Sequence, residues 1–165
     1  MRRNHHEFRG PHCPYCGSEA RLVNSSVVYR RSFGQMWLCG NYPRCDAYVG
    51  CHKGTDRPLG DLADSRLRAA RKRAHAVFDP LWQGAAHHYE PLPGGREGRR
   101  AVRRIHKTAR TRAYAWLSHQ LGVRSDGCHI GEFDLEQCEA TVRVCQKVTP
   151  EDVRAWSNAQ KETTA

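Results

Sequence analysis

The spacing of apolar positions changes more than once along the chain. In RLVNSSVVYRRSFGQMWL, β-prone runs at residues 21–30 and 35–38 flank Phe33-Gly34, which predicts two antiparallel strands joined by a turn. Residues 50–60 carry no period and read as a loop. Beyond them Leu67, Ala70, Ala74, Val77 and Phe78 recur at helical steps. That stripe predicts a helix capped by Asp64 and ended by Pro80.

The segment QGAAHHYEPLPGG has no period and predicts a mobile Gly/Pro/His-rich loop near residues 83–98, with His87 and His88 as surface side chains. REGRRAVRRIHKTARTRAYAWLSHQLG then predicts one long or two consecutive helices ending at Gly122. Its apolar strip is narrow: Val102, Ile105, Ala109, Ala113, Trp116 and Leu117. Asp134 and Gln137 form a capping-box signature ahead of a stripe of Leu135, Cys138, Val142 and Cys145. Cys138 and Cys145 are therefore expected as small core residues. A last helix is expected from Thr149-Pro150, as cap and first turn, to about Ala159.

Composition makes this core look thin. Leu, Ile, Val and Phe supply 27 of 165 residues, below the fifth typical of a well-filled interior, and the formal charge is +10. Some stabilisation beyond apolar burial is expected. The stretch MRRNHHEFRG has no apolar core of a signal peptide, and no apolar run approaches a membrane span. The expected location is the cytosol, with no membrane partner. In such a reducing compartment, closely paired cysteines favour metal over disulfides.

Cys13 and Cys16 form a C-x2-C knuckle in HCPYCG, and Cys39 and Cys45 form C-x5-C in LCGNYPRCD. Four thiolates at about 2.3 Å around Zn²⁺ leave no open coordination position, so one structural ion is expected. The fold class expected is α+β: a small four-cysteine zinc ribbon of short antiparallel strands at residues 12–56, packed with a mainly α-helical basic bundle at residues 57–160. His12 and Cys51 are expected as bystanders. Cys51-His52 and Cys128-His129 remain open as alternative metal ligands.

CPYCG followed by WLCGNYPRCDAYVG resembles the C-terminal zinc ribbons of bacterial type I topoisomerases over residues 12–50. The resemblance implies Cys13, Cys16, Cys39 and Cys45 as ligands, with Tyr42 and Pro43 shaping the second knuckle. It also implies contact with single-stranded DNA in preference to RNA. PLGDLADSRLRAARKRAHAVFDPLW, RAYAWLSHQLGV and CHIGEFDLEQC resemble an uncharacterised zinc-finger-containing family found largely in phages and prophages. With the ribbon, that likeness spans residues 12–145. Leu59, His75, Asp79, Trp82, Tyr114, Trp116, His129 and Gly131 match its words, and residues 83–107 depart from it as an Arg-rich insertion.

Charge is concentrated in the middle: residues 1–56 sum to +4, residues 57–124 to +10 and residues 125–165 to −4. A basic surface of this kind suits a polyanion. The expected nucleic-acid contacts are Arg30, Arg31, Trp37, Tyr42 and Arg44 in the ribbon, Arg68, Arg71 and Lys72 in the first helix, and Arg99, Arg100, Arg103, Arg104, Lys107 and Arg110 in the long helix. Aromatic faces would stack on bases while cations meet phosphates. The leading expectation is a DNA-binding accessory protein without a catalytic step. Its rivals are an adaptor or inhibitor docking on a host polymerase or defence factor, and a metal-assisted hydrolase using His75, Asp79 and His129.

Overall fold

A computed structural model describes residues 10–164, with the side chains of the last two of these left aside. The stretch from which the absence of a signal peptide was read lies mostly outside the described residues. Contacts divide the chain into two units, residues 1–68 and residues 69–165.

The first unit is built on an antiparallel sheet in the order β1 (Ala20–Asn24), β2 (Gln35–Cys39), β3 (Tyr48–Gly50). β1 aligns Ala20 with Cys39 and Asn24 with Gln35, while β3 aligns Val49 with Trp37. The central strand is buried from Met36 to Cys39. Its neighbours in the core are Cys13, Ala20, Ala47 and Leu62, so the metal cysteines and the apolar interior are one structure.

The strand expected at residues 21–30 stops at Asn24. The Asn24 side chain accepts the Ser26 N–H at 3.0 Å, and the Ser25 hydroxyl accepts the Phe33 N–H at 2.7 Å. Such local side-chain bonds compete with a ladder and turn the chain. A helical turn, α1 (Ser26–Tyr29), follows and ends at Arg30, whose φ of 58° is left-handed. β3, absent from the expectation, pairs on β2 and is bridged from Tyr48 to Ala63. The first unit runs to Arg68. Gly40 is required where two chain segments meet, because a Cβ there would stand 2.6 Å from the Glu19 carbonyl oxygen.

Helix α2 (Ser65–Phe78) begins as expected: the Asp64 carboxylate accepts the Leu67 N–H at 2.8 Å. Pro80 ends it but also opens α3 (Pro80–Gln83), since proline is pre-organised for a first helical turn. The segment expected as a loop continues as a 3-10 turn over Gly84–Tyr89 with Ala85 buried. Then α4 (Gly95–Leu121) runs as one helix, closed by Gly122 at φ 64°.

Helix α4 is the axis of the second unit. α3, the 3-10 turns at Gly84–Tyr89 and Ser125–Gly127, α5 (Leu135–Cys145) and α6 (Pro150–Thr164) pack on it. Its buried residues are small or lie near its C-terminal end: Gly98, Ala109, Ala113, Trp116, Leu117 and Ser118. Phe78, Ile130, Phe133 and Val153 fill the same interior. The α5 capping box is present in both directions, and Cys138 and Cys145 are buried with Thr141 between them. Thr149 and Asp152 form a reciprocal cap for α6. No described helix is long and apolar enough to cross a membrane.

Candidate metal centre and basic helix

The two knuckles bring four sulfurs together. Cys13 N–H donates to the Ser18 carbonyl at 2.8 Å, and Gly17, at φ 71°, returns its N–H to the Cys13 carbonyl at 2.9 Å. In the second knuckle Cys45 N–H donates to the Asn41 carbonyl at 3.1 Å, and Asn41 N–H approaches the Cys39 sulfur at 3.4 Å. The Cys13 and Cys45 sulfurs are 3.5 Å apart, those of Cys16 and Cys39 3.4 Å apart, and all four lie within 4.8 Å of one another. A disulfide needs about 2.05 Å. A tetrahedron with Zn–S bonds of about 2.3 Å has edges near 3.8 Å, so the donor set fits zinc.

The thiols are not equivalent before metal arrives. Hydrogen bonding from Ser18 brings Cys16 down to about 6, whereas burial pushes Cys39 up to about 12. An ion entering this cluster displaces the remaining thiol protons.

The other cysteines stand apart. The Cys51 sulfur faces the Asp56 carbonyl at 3.5 Å. Cys128, Cys138 and Cys145 are buried in the helical unit, and burial raises all three thiols, Cys128 to about 11 and Cys145 to about 12. Among the described residues the Cys13–Cys16–Cys39–Cys45 cluster is the one group of three or more metal-binding side chains. Neither Cys51-His52 nor Cys128-His129 builds a second one.

Helix α4 presents a different chemistry. Arg96, Arg100, Arg103, Lys107 and Arg110 follow one another at steps of four and three, and all are exposed. At 1.5 Å per residue this stripe runs about 21 Å. Arg99 and Arg104 are exposed beside it. Among the described residues no cation of α4 has a carboxylate partner.

Residues 9–91 and 100–148 match a family described as a zinc-finger-containing domain. The chain belongs to that family. The four thiolates of this zinc-finger protein therefore hold one structural zinc ion. The match is interrupted only at residues 92–99, a shorter break than the insertion expected at 83–107. No curated protein and no solved structure matches the chain.

Several residues of the zinc-finger protein expected to meet nucleic acid are engaged internally. Trp37 is buried, and its indole N–H donates to the Asp56 carbonyl at 2.7 Å, so it is a core residue and not a stacking platform. The Arg68 guanidinium donates to the Asp46 carbonyl and carboxylate at 2.7 Å and 3.1 Å. Arg71 donates to the Phe133 carbonyl at 2.9 Å. Both arginines are structural, because strand ends and loops left those carbonyls without ladder partners. Arg30, Arg31, Arg44 and Lys72 are exposed, and Tyr42 is half-buried. The Arg31 guanidinium sits 4.8 Å over the Phe33 ring.

His75 and Asp79 form a hydrogen-bonded pair at 3.3 Å, and the Trp82 indole N–H donates to the same Asp79 oxygen at 3.3 Å. His129 instead stacks on Tyr114, with ring centroids 5.9 Å apart and planes at 4°. These three candidates do not assemble a metal-binding group with one another. The gathering of Trp82, His106, Arg110 and Tyr114 along α4 escaped sequence reasoning. These side chains come from segments separated by an aperiodic stretch, and only the packing of α3 on α4 joins them.

Proposed function

We propose that this zinc-finger protein is a nucleic-acid-binding accessory factor of a bacterial or phage-infected cytoplasm. It takes single-stranded DNA in preference to RNA, chiefly through backbone phosphates. The observation that carries this reading is the exposed stripe of Arg96, Arg100, Arg103, Lys107 and Arg110, five cations with no carboxylate partner among the described residues. Folded proteins generally pair or disperse such charge, and a row of it on one helix face suits a row of phosphates. Exposed Arg30, Arg31 and Arg44, beside exposed Tyr15 and Phe33, offer the zinc ribbon as a second contact surface.

Titration of a fluorescent single-stranded oligonucleotide across a salt series tests the reading. Five neutralised phosphates give a slope of log K against log salt of about −3.5, at about −0.7 per phosphate. Affinity that barely changes from low to moderate salt sinks the proposal.

One observation favours a second reading, in which the ribbon docks on a host protein. Phe33 is 66% exposed and Tyr29 touches it edge-on at 5.6 Å, while Leu22 and Phe33 share a surface groove. A stoichiometric partner that survives nuclease treatment, and is lost with Phe33→Ser, would select this reading.

A further inference from the structure

We infer that the cleft between α3 and α4 is a base pocket that receives one unstacked nucleotide of the bound strand. This deepens the nucleic-acid reading and rests on it.

The cleft is an open groove of about 650 Å³, within the range of small-ligand sites, and lies wholly inside the helical unit. Trp82 supplies a flat apolar platform, held in place because its N–H donates to Asp79, which is also bonded to His75. Tyr114 already packs beside His129 and, at 4.6 Å, against Phe78. Tyr114 forms a wall of the cleft, and Trp82 offers the larger ring for stacking. The exposed Arg110 guanidinium stands 5.5 Å from the Trp82 centroid and 5.6 Å from that of Tyr114, poised between ring and solvent.

The polar side of the cleft points to a heterocycle and not to an aliphatic guest. His106 lines the cleft and stands edge-on to Trp82 at 5.9 Å, bringing a nitrogen-bearing ring to its wall. A nucleobase edge offers the donors and acceptors that an imidazole nitrogen can meet, and its π-face suits indole.

Charge continuity identifies the source of the base. Lys107 and Arg110 line the cleft and are also the last two cations of the exposed α4 stripe. A strand whose phosphates follow that stripe is led to the mouth of the cleft, where a base turned inward meets Trp82 while its phosphate stays with Lys107 or Arg110.

The test compares a single-stranded oligonucleotide with an abasic one of equal length and charge, for the wild type and for Trp82→Ala. The wild type is expected to bind the base-bearing strand about tenfold more tightly. Trp82→Ala is expected to abolish that gap while leaving abasic-strand affinity and salt slope unchanged. Trp82→Phe, which keeps a ring in place, retains most of the gap and guards against misfolding of the alanine variant. Equal wild-type affinity for the two strands, or a gap that survives Trp82→Ala, overturns the pocket but not the phosphate-binding stripe. Binding of neither strand sinks the proposed function itself. Adenosine monophosphate alone serves as a further probe: if it quenches Trp82 fluorescence as tightly as the strand does, the site takes free nucleotides and the strand assignment falls.

Discussion

The guanidinium of Arg68 lies 3.7 Å from the centroid of the Tyr48 ring. The same group donates to the carbonyl oxygens of Asp46 and Ala63 and to the Asp46 carboxylate. Tyr48 and Ala63 also exchange backbone hydrogen bonds at 3.1 Å. One side chain thus joins β3, the residue after the last zinc ligand, and the segment leading into α2. Arg68→Ala leaves the Asp46 carbonyl to find water and removes a charged bond and a ring contact, an expected loss of about 2 kcal/mol. Arg68→Lys recovers little, because an ammonium cannot present the planar fork. Urea denaturation of both variants with zinc bound checks this.

Zinc content separates the ligands from the remaining cysteines. Native mass spectrometry of the intact protein is expected to show one zinc per chain. Cys39→Ser abolishes it, and Cys51→Ser and Cys128→Ser keep it. Chelation is expected to erase the β1–β2 resonances, since structural zinc contributes about 10–16 kcal/mol of apparent binding energy to folds of this kind.

Thiol reactivity separates them again. Burial raises Cys128 to about 11 and Cys145 to about 12. At pH 8 the thiolate of Cys128 is then about a thousandth of the total, and reaction with iodoacetamide is slow in proportion. The expected outcome is that both react in the unfolded chain and resist in the native zinc form, with Cys128 gaining reactivity as pH rises toward 11. Mass mapping of the alkylated peptides reads this directly.

The start of α6 carries a pH signature. Hydrogen bonds from the Thr149 hydroxyl and N–H hold the Asp152 carboxyl below its usual value. A depressed carboxyl contributes stability that is present above its unfolded value and lost as pH falls through the folded one. Asp152→Asn is therefore expected to lower the thermal midpoint at pH 7, with the difference from the wild type shrinking as pH falls below the usual carboxylate range. Differential scanning calorimetry at pH 7 and across an acid series decides it.

The zinc ligands, the capping box of α5 and the end of α4 at Gly122 were legible because each depends on short-range spacing: C-x2-C, C-x5-C, Asp134 to Gln137, and helical steps up to Gly122. What was not legible depends on distant partners or on competing local bonds. β3 is three residues long and exists because Val49 meets Trp37 across the sheet. The break in the first expected strand follows from two side-chain oxygens, on Asn24 and Ser25, that outweigh the β-prone Val27-Val28-Tyr29. Arg68 and Arg71 look in sequence like their exposed neighbour Lys72, yet their guanidiniums are held by backbone carbonyls. A charge pattern fixes which helix is basic but not which of its cations stay in water.

The long α4 also meets two opposing environments. Its C-terminal half is gripped by apolar neighbours, whereas residues 99–108 include no fully buried side chain and carry like charges one turn apart. Such repulsion works against helix formation in that half. A polyanion laid along it turns the repulsion into attraction, so that part of the helix should exchange its amide hydrogens fastest in the free protein and gain the most protection on binding. The strand would then act as a missing counterion of the fold as well as a cargo.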